Sequence, residues 1–358
     1  MRAAVYVGDS ANLAFEELKP NPPGPRDVVV EVGASGVCHS DLSIMRGYVP
    51  VPPGMVLGHE GAGRVVETGA EVSRVKKGDR VIASFVPACG ACWFCLRNQS
   101  ELCDRESEIT MQMRGTRPDG NPYFCMTGLG TFSNVMTVDE SSVVKVETDL
   151  PDAQLALIGC GVTTGVGAAL NTAHITPGAT VAVVGCGGVG QAVIQGARIA
   201  GASRIIAIDP QTLKRATAAK LGATDAVDPS TGDPVEQVKA LTGGRGVDYA
   251  FEVIGLPETI LSAYNMARKG GDVIVVGMAR FDAQFTLPAF GIFFEQKTVR
   301  GCKYGSAQVR RDFPRFVELI ETNRLDISAM VSKTIKLDGV NDAFKAMEKG
   351  EVIRSVIA

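Results

Sequence analysis

Histidine is scarce in this chain, with three in 358 residues. Cysteine is better supplied, with nine residues available as metal ligands. Charge of one sign is also missing. The formal net charge is -3 with no block of like charges, which removes the electrostatic footprint that nucleic acid or an anionic membrane surface requires. A small-molecule partner is expected instead. The chain opens Met1-Arg2-Ala3-Ala4-Val5-Tyr6 and soon meets Asp9, Glu16 and Glu17, with no apolar core of a signal peptide. The expected location is the reducing cytoplasm, where clustered cysteines read as metal ligands rather than disulfides. Acids, lysine and arginine are absent from 154–197, so a membrane span has to be considered there. Asn171, Thr172, His174, Pro177 and repeated glycines interrupt that stretch before an apolar run of roughly 20 residues forms. It reads as a buried helix, a turn, a buried strand and a second helix.

Hydrophobic residues make up 45% and charged residues 21%, the balance of an ordinary globular protein, and the length exceeds one comfortable core. Two domains are expected. Short alternating or β-branched runs at 3–7, 27–32, 63–68, 80–84 and 142–146, separated by Gly and Pro, describe an irregular β-rich first domain. From about Val162 the texture changes. Compact apolar strands at 180–184, 204–208, 247–253 and 272–276 alternate with helical stretches such as 189–200 and 212–221. Continuous apolar strands with intervening helices imply an α/β unit whose parallel sheet is covered on both faces. From about Tyr304 the tail returns to short helices at 313–323 and 340–349 and a last apolar run near Val352, expected to fold back on the first domain.

Gly185-Cys186-Gly187-Gly188-Val189-Gly190 follows the apolar strand 180–184 and opens a helix, the setting in which a GxGxxG turn binds a dinucleotide. Gly185 allows the tight turn, Gly187 lets the backbone approach the pyrophosphate, and Gly190 lets helix and strand pack closely. Asp209 ends the next strand, at about the 20-residue offset of an acid that binds the adenosine ribose. A carboxylate there repels a 2′-phosphate, so NAD is expected over NADP, while Lys214 close by tolerates either.

Cys89, Cys92, Cys95 and Cys103 form a Cys-x2-Cys-x2-Cys-x7-Cys run in a polar, glycine-punctuated segment, the closed tetrahedral thiolate shell of a structural zinc. Free thiols in such a lobe would oxidise. A second, dispersed set, Cys38, His59 and Cys160, has the Cys2His composition of a catalytic zinc with a fourth position open to water or substrate.

Gly58-His59-Glu60-Gly61-Ala62-Gly63, the four-cysteine lobe, Gly159-Cys160-Gly161 and the 185–190 turn occur in this order over nearly the whole chain. Together they resemble the zinc-containing alcohol dehydrogenases of the medium-chain dehydrogenase/reductase superfamily, including its class III-like bacterial branch. The resemblance implies a GroES-like irregular β-rich catalytic domain from residues 1–161 and 304–358, and a Rossmann doubly wound parallel sheet from 162–303. It implies two zinc ions per chain, one catalytic and one structural, and NAD. Cys38, His59 and Cys160 match the catalytic zinc ligands, and Glu60 the acid beside the metal. Asp41 matches the carboxylate that orients the ligand histidine, and Ser40 the hydroxyl that takes the alcohol proton. His39 and Arg354 match cations near the pyrophosphate, Thr164 a residue on the nicotinamide side, and Phe85 a wall of the substrate pocket. Ser43 stands where a histidine ends the proton relay in liver-type members, and the segment between Cys103 and Phe132 is shorter than theirs.

The expected reaction is reversible oxidation of an alcohol to an aldehyde or ketone by hydride transfer. The apolar and aromatic stretch 44–52, with Phe85, is expected to line the pocket of an aliphatic or aryl alcohol. A thiol-adduct-dependent formaldehyde dehydrogenase is the alternative, although no acid occurs in 43–56, where glutathione-using members carry them. An alternative of another class is a non-catalytic zinc protein that senses nucleotide or redox state through Cys186, Cys125 or Cys302. Strands near Phe285 and Thr298 match the edge that pairs subunits in this family, so a homodimer is expected, with a tetramer as the alternative.

Overall fold

The computed structural model of the chain describes residues 1–8 and 11–358; Asp9, used above in reading the N-terminus, lies outside the described residues. The chain forms two units. One comprises Met1–Gly161, Ala307–Asn323 and Val331–Ala358; the other comprises Val162–Ser306 and Arg324–Met330.

In the first unit the strand Asp27–Val37 organises the site. Its opening valines alternate, and Val28 and Val30 are fully buried with Val65, Val81 and Val138 in one apolar cluster. From the sequence this strand is expected only over 27–32, since Gly33 interrupts the β-branched run. The backbone instead continues, with a register shift between Val32 and Ala34, paired antiparallel to Glu60–Thr68. Small residues make this possible: a Cβ on Gly63 would strike the carbonyl oxygen of Glu31. The pairing ends at Gly36 opposite Glu60, so Cys38 and His59 leave adjacent strands at the same end. The tail strand Arg354–Ile357 pairs antiparallel on the other side, with Ser355 opposite Val37, which brings Arg354 to that end as well. The sheet order is Val143–Lys145, Arg80–Ala83, Glu60–Thr68, Asp27–Val37, Arg354–Ile357 and Val331–Ile335, with Val135–Asp139 also pairing Asp27–Val37.

The second unit has a parallel sheet in the order Asp225–Val227, Arg204–Ile208, Thr180–Val184, Val247–Glu252, Ala267–Val275 and Thr298–Gly301. Alternate residues of the strands feed two separate cores. Val181, Val183, Ile205, Ala207 and Phe251 face one, while Ala182, Val184, Ile206, Ile208 and Ala250 face the other. This is a doubly wound α/β sheet, as the apolar strands implied. The helices Pro234–Leu241 and Pro257–Met266 were not read from the sequence, although Asp233 before Pro234 is an N-cap followed by proline at the first helical position. Near Phe285 the expectation fails. That residue lies in an irregular segment, and the helix Ala289–Glu295 leads into the edge strand Thr298–Gly301.

The helix Val309–Glu321 starts earlier than the 313–323 expected from the sequence, and Pro314 lies inside it. Arg324–Met330 packs with the second unit, where Gln195 donates from Nε2 to the Asp326 carbonyl at 2.9 Å and accepts the Asp326 N–H at 2.7 Å. The helical run Asp152–Thr172 is long and apolar enough to cross a membrane by length and composition. The interruptions at Asn171 and Thr172 come too late to break it. What decides its role is burial, since 83% of its most apolar stretch is inside the protein.

Phe251 lies fully buried in the central strand Val247–Glu252. Phe251→Ala should cost about 3–5 kcal/mol, read as a lowered melting temperature with loss of dinucleotide binding.

Candidate active site

The short helix His39–Met45 begins at Cys38 and is closed by its own acid: the Cys38 N–H donates to Asp41 Oδ2 at 3.0 Å. Asp41 is fully buried, and its other oxygen accepts from Gly58 N at 3.0 Å and lies 3.2 Å from His59 Nδ1. Gly58 has φ +90, and an added Cβ would strike Thr131 and Phe132, so the turn that delivers His59 requires glycine. With Nδ1 engaged, Nε2 is the nitrogen left to ligate. Cys160 comes from a π turn, Ile158–Val162, within the helical run.

Ligand atoms of Cys38, His59, Glu60 and Cys160 all lie within 4.8 Å of one another, and all four residues are buried. Their charges are unsettled without a cation. The hydrogen bond with Cys160 holds the Cys38 thiol well below its ordinary range, and the same bond pushes Cys160 well above it. Burial opposes charge on His59, but Asp41 and Cys38 outweigh it and hold the imidazole well above its usual value. Burial pushes Glu60 up to about 7 against the pull of Arg354. Arg354 Nη2 lies 3.1 Å from Glu60 Oε1, yet neither Glu60 oxygen is in hydrogen-bond geometry. Two thiols, an imidazole and a buried carboxylate with open lone pairs fit zinc by donor type.

The four-cysteine lobe is a second cluster. Cys89 and Cys95 sulfurs are 3.9 Å apart, those of Cys92 and Cys103 4.0 Å apart, and all four lie within 4.8 Å of one another. Backbone N–H groups of Ala91 and Cys92 point at Cys89 Sγ, and that of Cys89 at Cys103 Sγ, the arrangement that favours thiolates. Backbone donors at Cys95 and Asp104 pull Cys92 down to about 6, while burial pushes Cys95 up to about 12. The lobe has little apolar interior: Trp93, Leu96 and Leu102 are exposed. Its fold therefore depends on whatever the sulfurs hold.

In the second unit Gly185 has φ +93, and a Cβ on Gly190 would strike the Gly185 carbonyl, so both glycines are required by the turn and by the approach of helix to strand. At Gly187 an added Cβ would meet nothing within 4 Å, which leaves open space beside the N-terminus of the helix Gly188–Ile199. Val189 is in its first turn. That cradle fits a pyrophosphate. Asp209 is 4% exposed; its oxygens accept from Cys186 N and Gln211 N, each at 2.9 Å, and Lys214 Nζ stands 3.9 Å away.

The remaining residues fall as follows. Ser40 is half-buried with Oγ 3.8 Å from Cys38 Sγ, His39 is exposed, and Ser43 is half-buried. Phe85 meets the His59 ring edge-on at a centroid distance of 5.4 Å. Arg354 is buried and donates from Nη1 to the Val37 carbonyl at 3.0 Å. Thr164 is half-buried in the second unit. Within 44–52, Ile44 and Met45 belong to the core with Leu57 and Phe132 rather than to a pocket wall, and Tyr48 is exposed. The thiols proposed for sensing are inaccessible: Cys186, Cys125 and Cys302 are buried, and burial pushes the first two well above the ordinary thiol range. The sequence reading passed over Ile254, exposed and packed against Gly185, and Arg215 beside Asp209. The Lys214-Arg215 doublet was the available signal for the second.

Two family models match the chain: the alcohol dehydrogenase GroES-like domain over residues 24–148 and the zinc-binding dehydrogenase over residues 188–322. The S-(hydroxymethyl)glutathione dehydrogenase of Photobacterium damsela subsp. piscicida is 38% identical, with 99% of each chain covered. The crystal structure of benzyl alcohol dehydrogenase from Acinetobacter calcoaceticus superposes with a TM-score of 0.93 at 29% identity, covering 99% of this chain and 98% of that one. A zinc-binding dehydrogenase from Sinorhizobium meliloti bound to NADP gives a TM-score of 0.79 at 28% identity, covering 100% and 99%. Parallel sheet, dinucleotide turn and two metal-binding clusters define a zinc-binding dehydrogenase. The chain belongs to the medium-chain, zinc-binding alcohol dehydrogenase family.

Metal analysis of the purified protein should return two zinc ions per chain. Cys95→Ser should lose one of them and open the lobe to protease. Cys38→Ser should lose the other and leave the lobe resistant.

Proposed function

We propose that this dehydrogenase uses NAD to interconvert an aliphatic or aryl alcohol and its aldehyde or ketone. The observation that carries the reading is the buried Cys38–His59–Cys160 cluster with His59 oriented by Asp41. Zinc held there supplies a Lewis acid that makes an alcohol hydroxyl more acidic. The chain's own groups do the rest. Asp41 fixes the His59 tautomer by holding Nδ1, and Ser40 Oγ receives the hydroxyl proton. With Ser43 in place of a terminal histidine, the proton leaves by water, the ribose or His39. Glu60, held by Arg354, would serve as an alternative donor to zinc bound at this cluster. Phe85, edge-on to His59, excludes water from one side and suits a flat or aliphatic substituent. Gly187, Gly188, Val189 and Gly190 bind the pyrophosphate, Asp209 the adenosine ribose, and Thr164 the nicotinamide side. His39 adds positive charge toward the pyrophosphate. Arg354 is the second cation assigned there by resemblance, and in this structure it is engaged by Glu60 and Val37.

A second reading is favoured by one observation, the 38% identity over nearly full length to an S-(hydroxymethyl)glutathione dehydrogenase. Against it stands the lack of acids in 43–56. Turnover of a panel of primary, secondary and aryl alcohols with NAD, run beside formaldehyde with and without glutathione and other small thiols, decides between them. Alcohol turnover without thiol supports the first reading; strict thiol dependence replaces it with the second. Ser40→Ala should lower kcat about a hundredfold with both zinc ions retained, and unchanged turnover would remove Ser40 from the proton path.

The reading includes a homodimer in the cytoplasm, with a tetramer as the alternative. The edge strand Thr298–Gly301 and the exposed Phe290, Phe293 and Phe294 of the preceding helix support pairing between copies. Nine cysteines without a disulfide among the described residues suit a reducing compartment. Light scattering should give twice 37.6 kDa, and a monomer would remove the pairing.

A further inference from the structure

The adenosine end of the second unit carries more charge than its ribose acid. Asp209 has Lys214 Nζ 3.9 Å away, and a second cation reaches the same residue: Arg215 Nη1 donates to the Asp209 carbonyl at 2.6 Å, and Nη2 to Thr212 Oγ1 at 3.3 Å. Arg215 is therefore an arginine beside the ribose acid, the kind of residue that accommodates a 2′-phosphate in NADP-binding sheets. It is not a free cation. Its Nη2 lies 2.8 Å from Asp228 Oδ2, in an ion pair whose side chains are only 16% and 24% exposed. Asp228 is itself anchored, because its Oδ1 accepts from Ser230 N at 2.9 Å and Ser230 Oγ at 2.6 Å. The turn after the strand Asp225–Val227 thus presents a fixed carboxylate to the guanidinium, and this strand neighbours the one that ends in Asp209.

Counting charge around the ribose acid shows what this does. Lys214 offsets Asp209, and Asp228 offsets Arg215, so the local sum is zero. A 2′-phosphate adds about -1.5 to -2 charges near neutral pH. It would have to displace Asp228 from Arg215 before gaining a bidentate partner. A ribose hydroxyl makes no such demand and needs only acceptors on Asp209.

We propose that Asp228 is a specificity-determining residue, favouring NAD over NADP by occupying Arg215, whose guanidinium would otherwise receive the 2′-phosphate. This rests on the reading that the second unit binds a nicotinamide dinucleotide with its adenosine ribose at Asp209. Asp228 is a positioning residue in this proposal and acts through its ion pair with Arg215.

The test compares wild type, Asp228→Asn, Asp228→Glu, Arg215→Leu and the Asp228→Asn/Arg215→Leu double variant. Two readouts apply: kcat/KM for NAD and NADP with one alcohol, and calorimetric affinity for AMP and adenosine 2′,5′-bisphosphate. The fragments report the ribose site without turnover. Asp228→Asn should raise kcat/KM for NADP about tenfold, mainly through KM, and tighten the bisphosphate by a similar factor, while the NAD value moves less than threefold. Asp228→Glu should keep the wild-type ranking. The double variant should lose the gain, because Arg215 carries it. An unchanged NADP:NAD ratio in Asp228→Asn, or a gain that survives in the double variant, overturns the proposal. A wild type that binds neither fragment, or that prefers NADP, overturns the cofactor reading first, and this is seen before any variant is made. Should Asp228→Asn fold poorly, Arg215→Leu alone still decides. Pairing with Asp228 predicts that NADP use stays as weak as in wild type, whereas a tenfold loss would mean that Arg215 already serves the phosphate.

Discussion

One buried carboxylate holds the metal-binding end of the first unit together. Asp41 receives the N–H of Cys38, the N–H of Gly58 and the ring of His59, and so ties a helix start to a turn from a different strand. Each donor is a residue at, or next to, a candidate ligand. Deleting the carboxylate would leave two buried N–H groups without partners and His59 without a fixed tautomer, a larger loss than any one contact. The strands below supply the coarse placement, since Gly36 pairs with Glu60 and Ser355 with Val37. Asp41 supplies the fine placement, at the scale on which a four-donor cluster either closes or does not.

The two clusters solve different problems with the same atoms. The four-cysteine lobe has exposed apolar side chains and almost no core, so its sulfurs substitute for packing. The Cys38, His59 and Cys160 set is buried, and its donors are held by Asp41 and by the paired strands that deliver them. This difference matches a closed shell in one place and an open one in the other. The dinucleotide turn follows a third logic, in which backbone freedom at Gly185 and open space at Gly187 matter more than any side chain.

Much of this was legible before the structure. The spacing of Cys89, Cys92, Cys95 and Cys103 and the setting of the 185–190 turn are local patterns, and local patterns survive in a sequence. The Cys38, His59 and Cys160 set was legible as composition and by resemblance, while its closeness depends on strand register, which one sequence does not display. The extension of the strand Asp27–Val37 through Gly33 was missed because glycine signals a break unless a neighbouring backbone needs the space. Ile44 and Met45 were misread as pocket wall because apolar residues near a ligand look alike whether they face a cavity or the core. The Lys214-Arg215 doublet points to Arg215, but Asp228 leaves no signal, since an ion pair between a helix and the next strand's turn has no spacing rule.

Two glycines beside the first metal-binding cluster have a wider implication. A Cβ on Gly36 would enter the space of the Glu60 carboxylate, and one on Gly161 would strike the Arg354 guanidinium. Neither glycine needs an unusual backbone angle, and neither offers an atom to any reaction. They are empty volume reserved for a buried acid and its base. In a saturation-mutagenesis map of this chain, both positions should be sensitive, since even alanine would make a buried carboxylate or guanidinium move. A map of intolerance would therefore draw the catalytic centre larger than the set of groups that do chemistry, and its outline would trace where side chains are forbidden as well as where they are used.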